Sequence, residues 1–300
     1  MQLFRQSHKW SFYAAVENKN SEQIQKKSLL KNHILPAFGN LLLEQVVPRK
    51  IAAYKAAKLD AGLARKTVNN HLALLRKMLN TAVEWELLDR TPKVKALKVA
   101  ESKFDFLDFD ELDRLLYAAR SEGDVMLLVI AKTGLRIGEL RALQWDDVDL
   151  VAKRLVVRRN LVHGKIETPK SGKNREIPLC DSVVEVLQSH RHLRGDYVFC
   201  DEAGIVLSLT VLYSRIRFYC RKAGLRKIGF HTLRHTFASH LAMKGVPLKV
   251  VQELLGHSTI EMTMRYAHLS PGVKREYVKM LDEKFRVRQH MNSTSRHDTA

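Results

Sequence analysis

The segment from Lys66 to Leu88, KTVNNHLALLRKMLNTAVEWELL, constrains the fold most strongly, because its apolar residues recur at intervals of three and four. That interval is the period of an α-helix with one buried face. The segment therefore predicts a long helix that packs an apolar stripe into a core. The stripe comprises Val68, Leu72, Leu75, Leu79 and Val83.

Helical periodicity extends over most of residues 8–90, which carry little strand signal. Three further helices are predicted, the last of them with a proline in its first turn. They span Lys9–Glu17, Ser21–Leu35 and Pro48–Asp60. These patterns predict a helical N-terminal domain over residues 1–91.

The rest of the chain predicts a mixed domain over residues 105–285, joined to the first by a basic linker over residues 92–104 that contains Pro92 and four lysines. Three short strands are predicted in RLVVRRNLV, KIETPK and REIPLC, with turns at HG and SGKN between them. The fold class is mainly α with a small antiparallel β-sheet, and the polar residues 286–300 are expected to form a disordered tail. Helices are predicted over Asp108–Arg120, Gly123–Ala131, Thr210–Ala223, Thr232–Lys244, Pro247–Leu254, Ser258–Leu269 and Gly272–Phe285.

The chain is strongly basic, with 51 Lys and Arg against 32 Asp and Glu and a net charge of +19. This excess favours a polyanionic partner, and nucleic acid is favoured over a membrane surface because no cationic amphipathic tail is visible. The longest apolar run, Val125–Ala131, is too short to cross a bilayer. The long helix also carries DNA-binding candidates, although a solvated polar face is the simpler explanation for any one of them. They are Lys66, Asn69, Asn70, Arg76 and Lys77.

Three cysteines, Cys180, Cys200 and Cys220, are too few and too widely spaced for a zinc site or a disulfide framework. They predict reduced thiols. Because the first 30 residues also lack a signal-peptide pattern, a cytoplasmic protein is expected.

An arginine lies in the middle of an apolar helix face in HTLRHTFASHLAMKG, where Leu233, Phe237 and Leu241 flank Arg234. A guanidinium there needs an acidic or phosphate partner, because a partly buried charge is unfavourable without one. His231 projects about 60° away, one turn earlier, so the two side chains are candidates for one cleft. An arginine that reaches water beside a histidine at the helix start would explain either residue alone.

The motif TGLRIGEL interrupts one helix and begins another. Arg136 then lies in a first turn, where the helix dipole disfavours a cation. A bound oxyanion would reverse this effect, because backbone amides and the guanidinium would share it. Glu139, one turn on, is placed to hold Arg136, although a surface ion pair is the simpler explanation.

Lys170 ends the second predicted strand, beside the turn SGKN. An ammonium on a hairpin tip can neutralise charge and donate a proton, although most hairpin lysines do neither. Lys173 and Arg175 compete for any such role and are further DNA-binding candidates.

The segment LGHSTIEMTMRYAHLS places a tyrosine on a helix that begins beside a histidine. Ser258 and Glu261 have the spacing of a capping box, which predicts a helix from Ser258 with His257 at its start. Tyr266 then shares a face with apolar residues, as a core aromatic would. Its hydroxyl needs a partner if it is buried.

Together, four motifs in this order resemble the tyrosine recombinase, or phage integrase, family: TGLRIGEL, PKSGKNREIPL, HTLRHTFASHL and LLGHSTIEMTMRYAHL. The resemblance covers about residues 8–285 and implies a helical, SAM-like core-binding domain followed by a catalytic domain of the DNA breaking-rejoining type. Few residues precede residue 8, where many phage integrases carry an additional arm-binding domain. A two-domain Xer-like recombinase or a short integrase of a mobile element is therefore expected.

The resemblance implies that Tyr266 attacks the scissile phosphate and leaves a 3′-phosphotyrosyl link and a free 5′ hydroxyl. Arg136 and Arg234 would bind this phosphate, a role that planar guanidinium groups suit because they match its non-bridging oxygens. No metal or nucleotide would be needed.

Four more residues receive roles from the same resemblance. Lys170 would protonate the leaving 5′ oxygen, His231 would assist proton transfer and His257 would donate a hydrogen bond to the phosphate. Glu139 would support these groups without touching DNA.

The resemblance also implies partners. The first is double-stranded DNA. The second is further copies of the chain, which is expected to be a monomer free in solution and a homotetramer on two recombination sites. A DNA-bending accessory protein is another candidate. Gly272–Phe285 is expected to pack on a neighbouring subunit or, as an ordinary terminal helix, on its own domain. Two alternative functions are a DNA-relaxing enzyme like type IB topoisomerases and a non-catalytic DNA-binding accessory protein.

Overall fold

The computed structural model describes residues 20–99, 104–169, 172–271 and 278. The chain divides into two compact units between Lys103 and Phe104. Several predicted features lie outside the described residues. They are the helix Lys9–Glu17, the residue Lys170, the tail 286–300 and all of Gly272–Phe285 except Val278.

The described part of the first unit is helical, as its periodicity predicts. The helix predicted from Ser21 continues past Leu35 through a π-helical turn, and the third helix has the predicted bounds. In chain order the elements are α1 (Asn20–Leu29), the π-helical turn (Leu30–Ile34), α2 (Leu35–Phe38), a 3₁₀ turn (Leu43–Gln45), α3 (Pro48–Asp60) and α4 (Arg65–Glu84).

The apolar stripe of α4 forms the centre of this unit's core. Ile34, Phe38 and Ile51 pack in the same core. Because burying one such side chain stabilises the fold by about 1.5–3 kcal/mol, the stripe fixes α4 in place. Four stripe residues are at most 1% exposed: Val68, Leu72, Leu75 and Leu79.

α4 ends at Glu84 rather than at the predicted Leu88. Glu86 has a φ of 57°, in the left-handed region. The amides of Glu86 and Leu87 bond back to carbonyls of the last helical turn. This arrangement closes the helix and explains its earlier end.

The described part of the predicted linker, residues 92–99, lies along α4. Val94 is buried in the core of the first unit. The Asn69 amide group accepts a hydrogen bond from the Leu97 amide at 2.8 Å and donates one to the Leu97 carbonyl at 2.9 Å. Arg76 donates to the Val94 carbonyl. Asn69 and Arg76, both predicted DNA contacts, thus bind the chain's own backbone.

The second unit combines helices with two small antiparallel sheets. Its helices are α5 (Phe109–Arg120), α6 (Met126–Thr133), α7 (Ile137–Arg141), α8 (Asp181–Ser189), α9 (Leu209–Lys222), α10 (Phe230–Met243), α11 (Leu248–Leu255) and α12 (Glu261–Met264), with 3₁₀ turns at Trp145–Asp147 and Ala267–Leu269. Its strands are β1 (Val148–Asp149), β2 (Arg154–Val157), β3 (Asn160–Val162), β4 (Lys165–Glu167) and β5 (Arg175–Pro178). One sheet has the order β1-β2-β5 and the other pairs β3 with β4.

The strand predicted in RLVVRRNLV is divided into β2 and β3, which belong to different sheets. Arg159, between them, pairs with Asp146 at 2.8 Å and with the buried Asp147 at 2.6 Å. This pairing holds the chain where it leaves the first sheet. The turn predicted at HG joins β3 to β4, whereas β1 and α8 have no counterpart among the predicted elements.

The core of the second unit lies between the sheets and the helices. Residues of the β1-β2-β5 sheet and of helices α5 to α10 contribute to it. Its fully buried residues include Leu127, Ile130, Leu155, Val183 and Leu233. Among the helices within the described ranges, none has the length and apolar character of a membrane span.

The single helix predicted over Ser258–Leu269 is wrong. α12 is only one turn long, and Tyr266 lies between it and the 3₁₀ turn that follows. The Ser258 hydroxyl contacts a methionine sulfur at 3.8 Å instead of capping the helix. The hydroxyl of Thr263 instead bonds His257 Nδ1 at 2.9 Å, and the helix begins only at Glu261.

Candidate active site

Arg136 lies in the loop between α6 and α7. Gly134 ends α6 with a φ of 63°, and a Cβ there would lie 2.5 Å from the Phe237 ring, so the position requires glycine. The Arg136 amide donates to Glu139 Oε2 at 2.9 Å, and its guanidinium donates to Oε1 at 2.8 Å. Glu139 thus holds Arg136 through both backbone and side chain, while the Arg136 side chain remains 21% exposed.

Glu139 is a fully buried carboxylate that binds a second guanidinium. Arg175 of β5 donates to its two oxygens at 3.0 Å and 2.6 Å. Burial favours the neutral carboxyl, but the hydrogen bonds and charge of Arg175 and the charge of Arg136 outweigh it and lower the pKa of Glu139 to about 2. The carboxylate is therefore ionised at pH 7. Arg175 faces this carboxylate, which differs from the DNA contact predicted for it.

Arg234 is 2% exposed on α10, in the apolar setting that the sequence predicts. Its hydrogen bonds go to the backbone carbonyls of Gly134 at 2.7 Å and Leu255 at 2.5 Å, and not to the acidic group expected for it. Burial and the positive charge of Arg136 lower the pKa of Arg234 to about 9, which leaves it protonated at pH 7. The two guanidiniums therefore face the same region.

His257 follows α11 directly after Gly256, which has a φ of 63°. The imidazole is half-buried, and Thr263 fixes its Nδ1 side. Burial and the charges of Arg234 and Arg136 lower the pKa of His257 to about 3. The ring is neutral at pH 7 and lies within the field of both arginines.

Tyr266 is 1% exposed and packs in a cluster with Leu255 and residues of α10. The Phe104 ring meets its ring edge-on at 5.1 Å. The Tyr266 hydroxyl bonds His235 Nδ1 at 2.7 Å. Burial raises the pKa of Tyr266 against the charges of Arg234 and Arg265. The core tyrosine expected from the sequence is present, and the partner of its hydroxyl is a histidine.

His235 is a site residue that sequence reasoning missed. It is 8% exposed, and burial together with the nearby His231 lowers its pKa to about 4, so it is neutral at pH 7. His231 is exposed, and its ring meets that of His235 edge-on at 4.5 Å. The available signal was its position next to Arg234 in the motif HTLRHTFASHL.

The remaining predicted residues belong to α4 of the first unit and to the turn before β5. Lys66 and Asn70 are exposed on α4, Lys77 is half-buried there, and Lys173 is exposed in the turn before β5. The cluster itself consists of seven residues that come from five elements or their ends. They are Arg136, Glu139, Arg175, Arg234, His235, His257 and Tyr266.

Residues 105–272 match the model of the Phage integrase family. The chain is 26% identical over 293 residues to the ICEBs1 integrase of Bacillus subtilis, with 89% of this chain and 79% of that protein covered. It is 30% identical over 248 residues to the tyrosine recombinase XerD of Shewanella oneidensis, with 77% of this chain and 79% of that protein covered.

Solved structures show the same fold. The Tn1549 transposon integrase in complex with transposon right end DNA has a TM-score of 0.79 at 21% identity, covering 94% of this chain and 100% of that one. A lambda integrase dimer bound to a COC′ core site has a TM-score of 0.72 at 24% identity, covering 89% and 95%. These similarities confirm the predicted fold class, mainly α with small antiparallel sheets.

Proposed function

Because this chain belongs to the phage integrase family, and is therefore a tyrosine recombinase that cleaves and rejoins DNA, we propose that Tyr266 is its nucleophile. One arrangement carries the proposal. Arg136, Arg234 and His257 meet at the C-terminal end of α11, and Tyr266 packs against the same end through Leu255.

In the proposed reaction, the Tyr266 hydroxyl passes its proton to His231, and its oxygen forms a bond to phosphorus while the bond between phosphorus and the 5′ oxygen breaks. The guanidiniums of Arg136 and Arg234 neutralise the non-bridging oxygens, which gain charge in the transition state. Lys170 gives the leaving 5′ oxygen its proton. The phosphotyrosyl ester keeps the energy of the phosphodiester, so a 5′ hydroxyl from another strand reverses the step and reseals DNA without metal or ATP.

The histidines have distinct proposed roles. In the tautomer whose Nδ1 accepts from the Thr263 hydroxyl, the neutral His257 carries its proton on Nε2 and can donate it to a phosphate oxygen. His231 is exposed and assists proton transfer. Glu139 holds Arg136 without touching DNA.

Attack on DNA requires Tyr266 to leave its present hydrogen bond, because the hydroxyl is buried and bonded to His235. The backbone between α12 and the 3₁₀ turn is the place for this movement, since no regular helix continues through it. DNA binding would therefore activate the nucleophile.

The proposed substrate is duplex DNA, which the net charge of +19 favours. Lys66, Asn70, Lys77 and Lys173 are the proposed DNA contacts. One lambda integrase structure is a tetramer bound to a Holliday junction. We propose that this chain also acts as a tetramer on two recombination sites. In this proposal Gly272–Phe285 joins the subunits, and a DNA-bending protein is an accessory partner. The proposal includes a cytoplasmic location, which cell fractionation tests.

A suicide substrate tests the nucleophile. Its nick lets the cleaved strand fall away, so the covalent protein–DNA complex accumulates and peptide mapping identifies the modified residue. The wild-type chain is expected to form this complex, Tyr266→Phe to form none, and Tyr117→Phe, whose ring is 77% exposed, to behave as wild type. A covalent complex with Tyr266→Phe, or none with the wild type on its own site, would contradict the proposal.

The target site is found by sequencing DNA that is covalently trapped on the protein. A supercoiled plasmid without this site separates recombination from relaxation, because only a topoisomerase-like enzyme relaxes it efficiently. A non-catalytic DNA-binding accessory protein would bind the site without any covalent complex.

A further inference from the structure

The C-terminal end of α11 binds three arginines on three consecutive carbonyls. Carbonyls at this end of a helix lack partners within the helix and carry partial negative charge, so they attract cations. The three donor–acceptor pairs come from different parts of the chain. They are Arg175 Nε to Leu254 at 2.9 Å, Arg234 Nη2 to Leu255 at 2.5 Å and Arg136 Nη2 to Gly256 at 3.3 Å.

Arg175 differs from the other two in what it can reach. Its side chain is 8% exposed, and Nε, Nη1 and Nη2 all donate to Leu254 or Glu139. Arg136 keeps a more exposed guanidinium. Arg175 is therefore oriented into the protein, whereas Arg136 can accept a ligand from outside.

The contacts form a closed ring. The α11 end binds Arg175, Arg175 binds Glu139, Glu139 binds Arg136, and Arg136 returns to the α11 end at Gly256. A Cβ on Gly256 would lie 2.9 Å from Arg175 Cδ, so glycine permits this close approach as well as the positive φ.

We propose that Arg175 is a positioning residue for Arg136, acting through Glu139 and the end of α11; this inference rests on the proposed function. A buried carboxylate with only one cationic partner is poorly compensated. Without Arg175, Glu139 would draw Arg136 inward as its sole partner, or it would take up a proton and no longer hold Arg136. Either change moves the Arg136 guanidinium from the position where it meets a phosphate.

The test compares Arg175→Met with Arg154→Met in the full chain on the suicide substrate. Arg154 is a matched control because it lies in the same sheet and pairs with the carboxylate of Glu176, but in solvent. We expect Arg175→Met to slow formation of the covalent complex on the order of 100-fold, since a displaced catalytic group costs that much. DNA affinity should stay within about threefold, because Arg175 makes no phosphate contact in this proposal. Arg154→Met should leave both quantities unchanged.

A double-mutant cycle identifies the route of the effect. If Arg175 acts through Arg136, adding Arg175→Met to Arg136→Ala produces little further loss of cleavage. Arg175→Lys, which keeps the charge but not the paired donors, should rescue cleavage in part. This variant also replaces Arg175→Met if thermal melting shows that the latter does not fold.

Three results would overturn the proposal. One is a parallel loss of DNA affinity and a smaller salt dependence of binding, which would make Arg175 a phosphate contact. Another is full additivity with Arg136→Ala. The third is wild-type cleavage by Arg175→Met, or by Arg175→Lys where Arg175→Met is unfolded. A wild-type chain that forms no covalent complex would instead overturn the proposed function itself, so the two failures are distinguishable.

Discussion

The arginine side and the tyrosine side of the proposed active site differ in how far they are organised in the free protein. Arg136, Arg175 and Arg234 are all bonded to the end of a regular helix, α11. Tyr266 lies in irregular backbone, and its hydroxyl is bonded to His235. The proposed phosphate-binding side is therefore formed in the free protein, while the proposed nucleophile is held in another contact.

The difference has an energetic meaning. Donors that are already oriented need no reorganisation when charge develops on the phosphate, which is where electrostatic catalysis gains most. The hydrogen bond that holds Tyr266 contributes little to stability, since the net contribution of one intramolecular hydrogen bond is about 0.5–1.5 kcal/mol. In the proposal, binding of a phosphate by two guanidiniums offsets the loss of the hydrogen bond between Tyr266 and His235. Rigid phosphate recognition and a releasable nucleophile are thus compatible in one small site.

Replacing Arg234 is expected to have the largest effect, because it removes part of the organised side. In Arg234→Lys, one ammonium replaces a fork that bonds Gly134 and Leu255 together. We expect the rate of covalent complex formation to fall on the order of 10³-fold, as for the loss of one transition-state donor. Single-turnover cleavage of the suicide substrate measures this rate.

Arg114→Lys is the control for this change, since Arg114 also donates to a carbonyl at a helix end, that of Ala223, but away from the site. It should cleave as the wild type does. Cleavage by Arg234→Lys within tenfold of the wild type would show that the preformed arrangement of Arg234 is unimportant.

Local sequence patterns predicted much of the arginine side and little of the tyrosine side. Arg136 and Glu139 lie three residues apart, and the helical period alone put Arg234 among apolar residues. The contacts between Arg175 and Glu139 and between His235 and Tyr266 join positions that are distant in sequence. Nothing in the local period encodes such pairs.

The same limit applies to backbone partners. Burial of Arg234 was predictable, but its carbonyl partners were not, because they depend on where α6 and α11 end in space. The helix predicted from Ser258 failed for a related reason, since the bond between His257 and Thr263 overrides the capping pattern. Sequence periodicity identifies which residues are buried, whereas packing decides what they bind.

Removing the histidine that binds Tyr266 is expected to have an intermediate effect. It should lower stability without slowing cleavage. In His235→Phe the buried hydroxyl loses its partner, so stability at pH 7 should fall by about 1–3 kcal/mol. Cleavage should be no slower than in the wild type, because His235 holds the resting state only. Chemical denaturation and single-turnover cleavage measure the two quantities.

The same variant should also lose less stability in acid. The folded-state pKa of His235 is about 4, below the ordinary 6.5, so the unfolded chain binds a proton that the folded chain excludes. Stability from this group is present above pH 6.5 and is lost as the pH falls towards 4. His235→Phe should therefore show a shallower decline over this range. An unchanged decline would show that folding does not lower the pKa of His235. Slower cleavage would make His235 a group that takes the tyrosine proton.

The smallest effects are expected on α4, where two adjacent asparagines repeat the contrast between side chains bound within the protein and side chains open to a ligand. Asn69 makes two hydrogen bonds to the Leu97 backbone, whereas Asn70 is exposed. Asn69→Ala should lower stability by about 1–2 kcal/mol, because the Leu97 groups lose their partner. Asn70→Ala should leave stability unchanged and weaken DNA binding several-fold. Denaturation measures the stability of both variants, and DNA titration measures their affinity for DNA. Equal losses of stability and affinity in the two variants would show that the two faces of α4 are not separated in function.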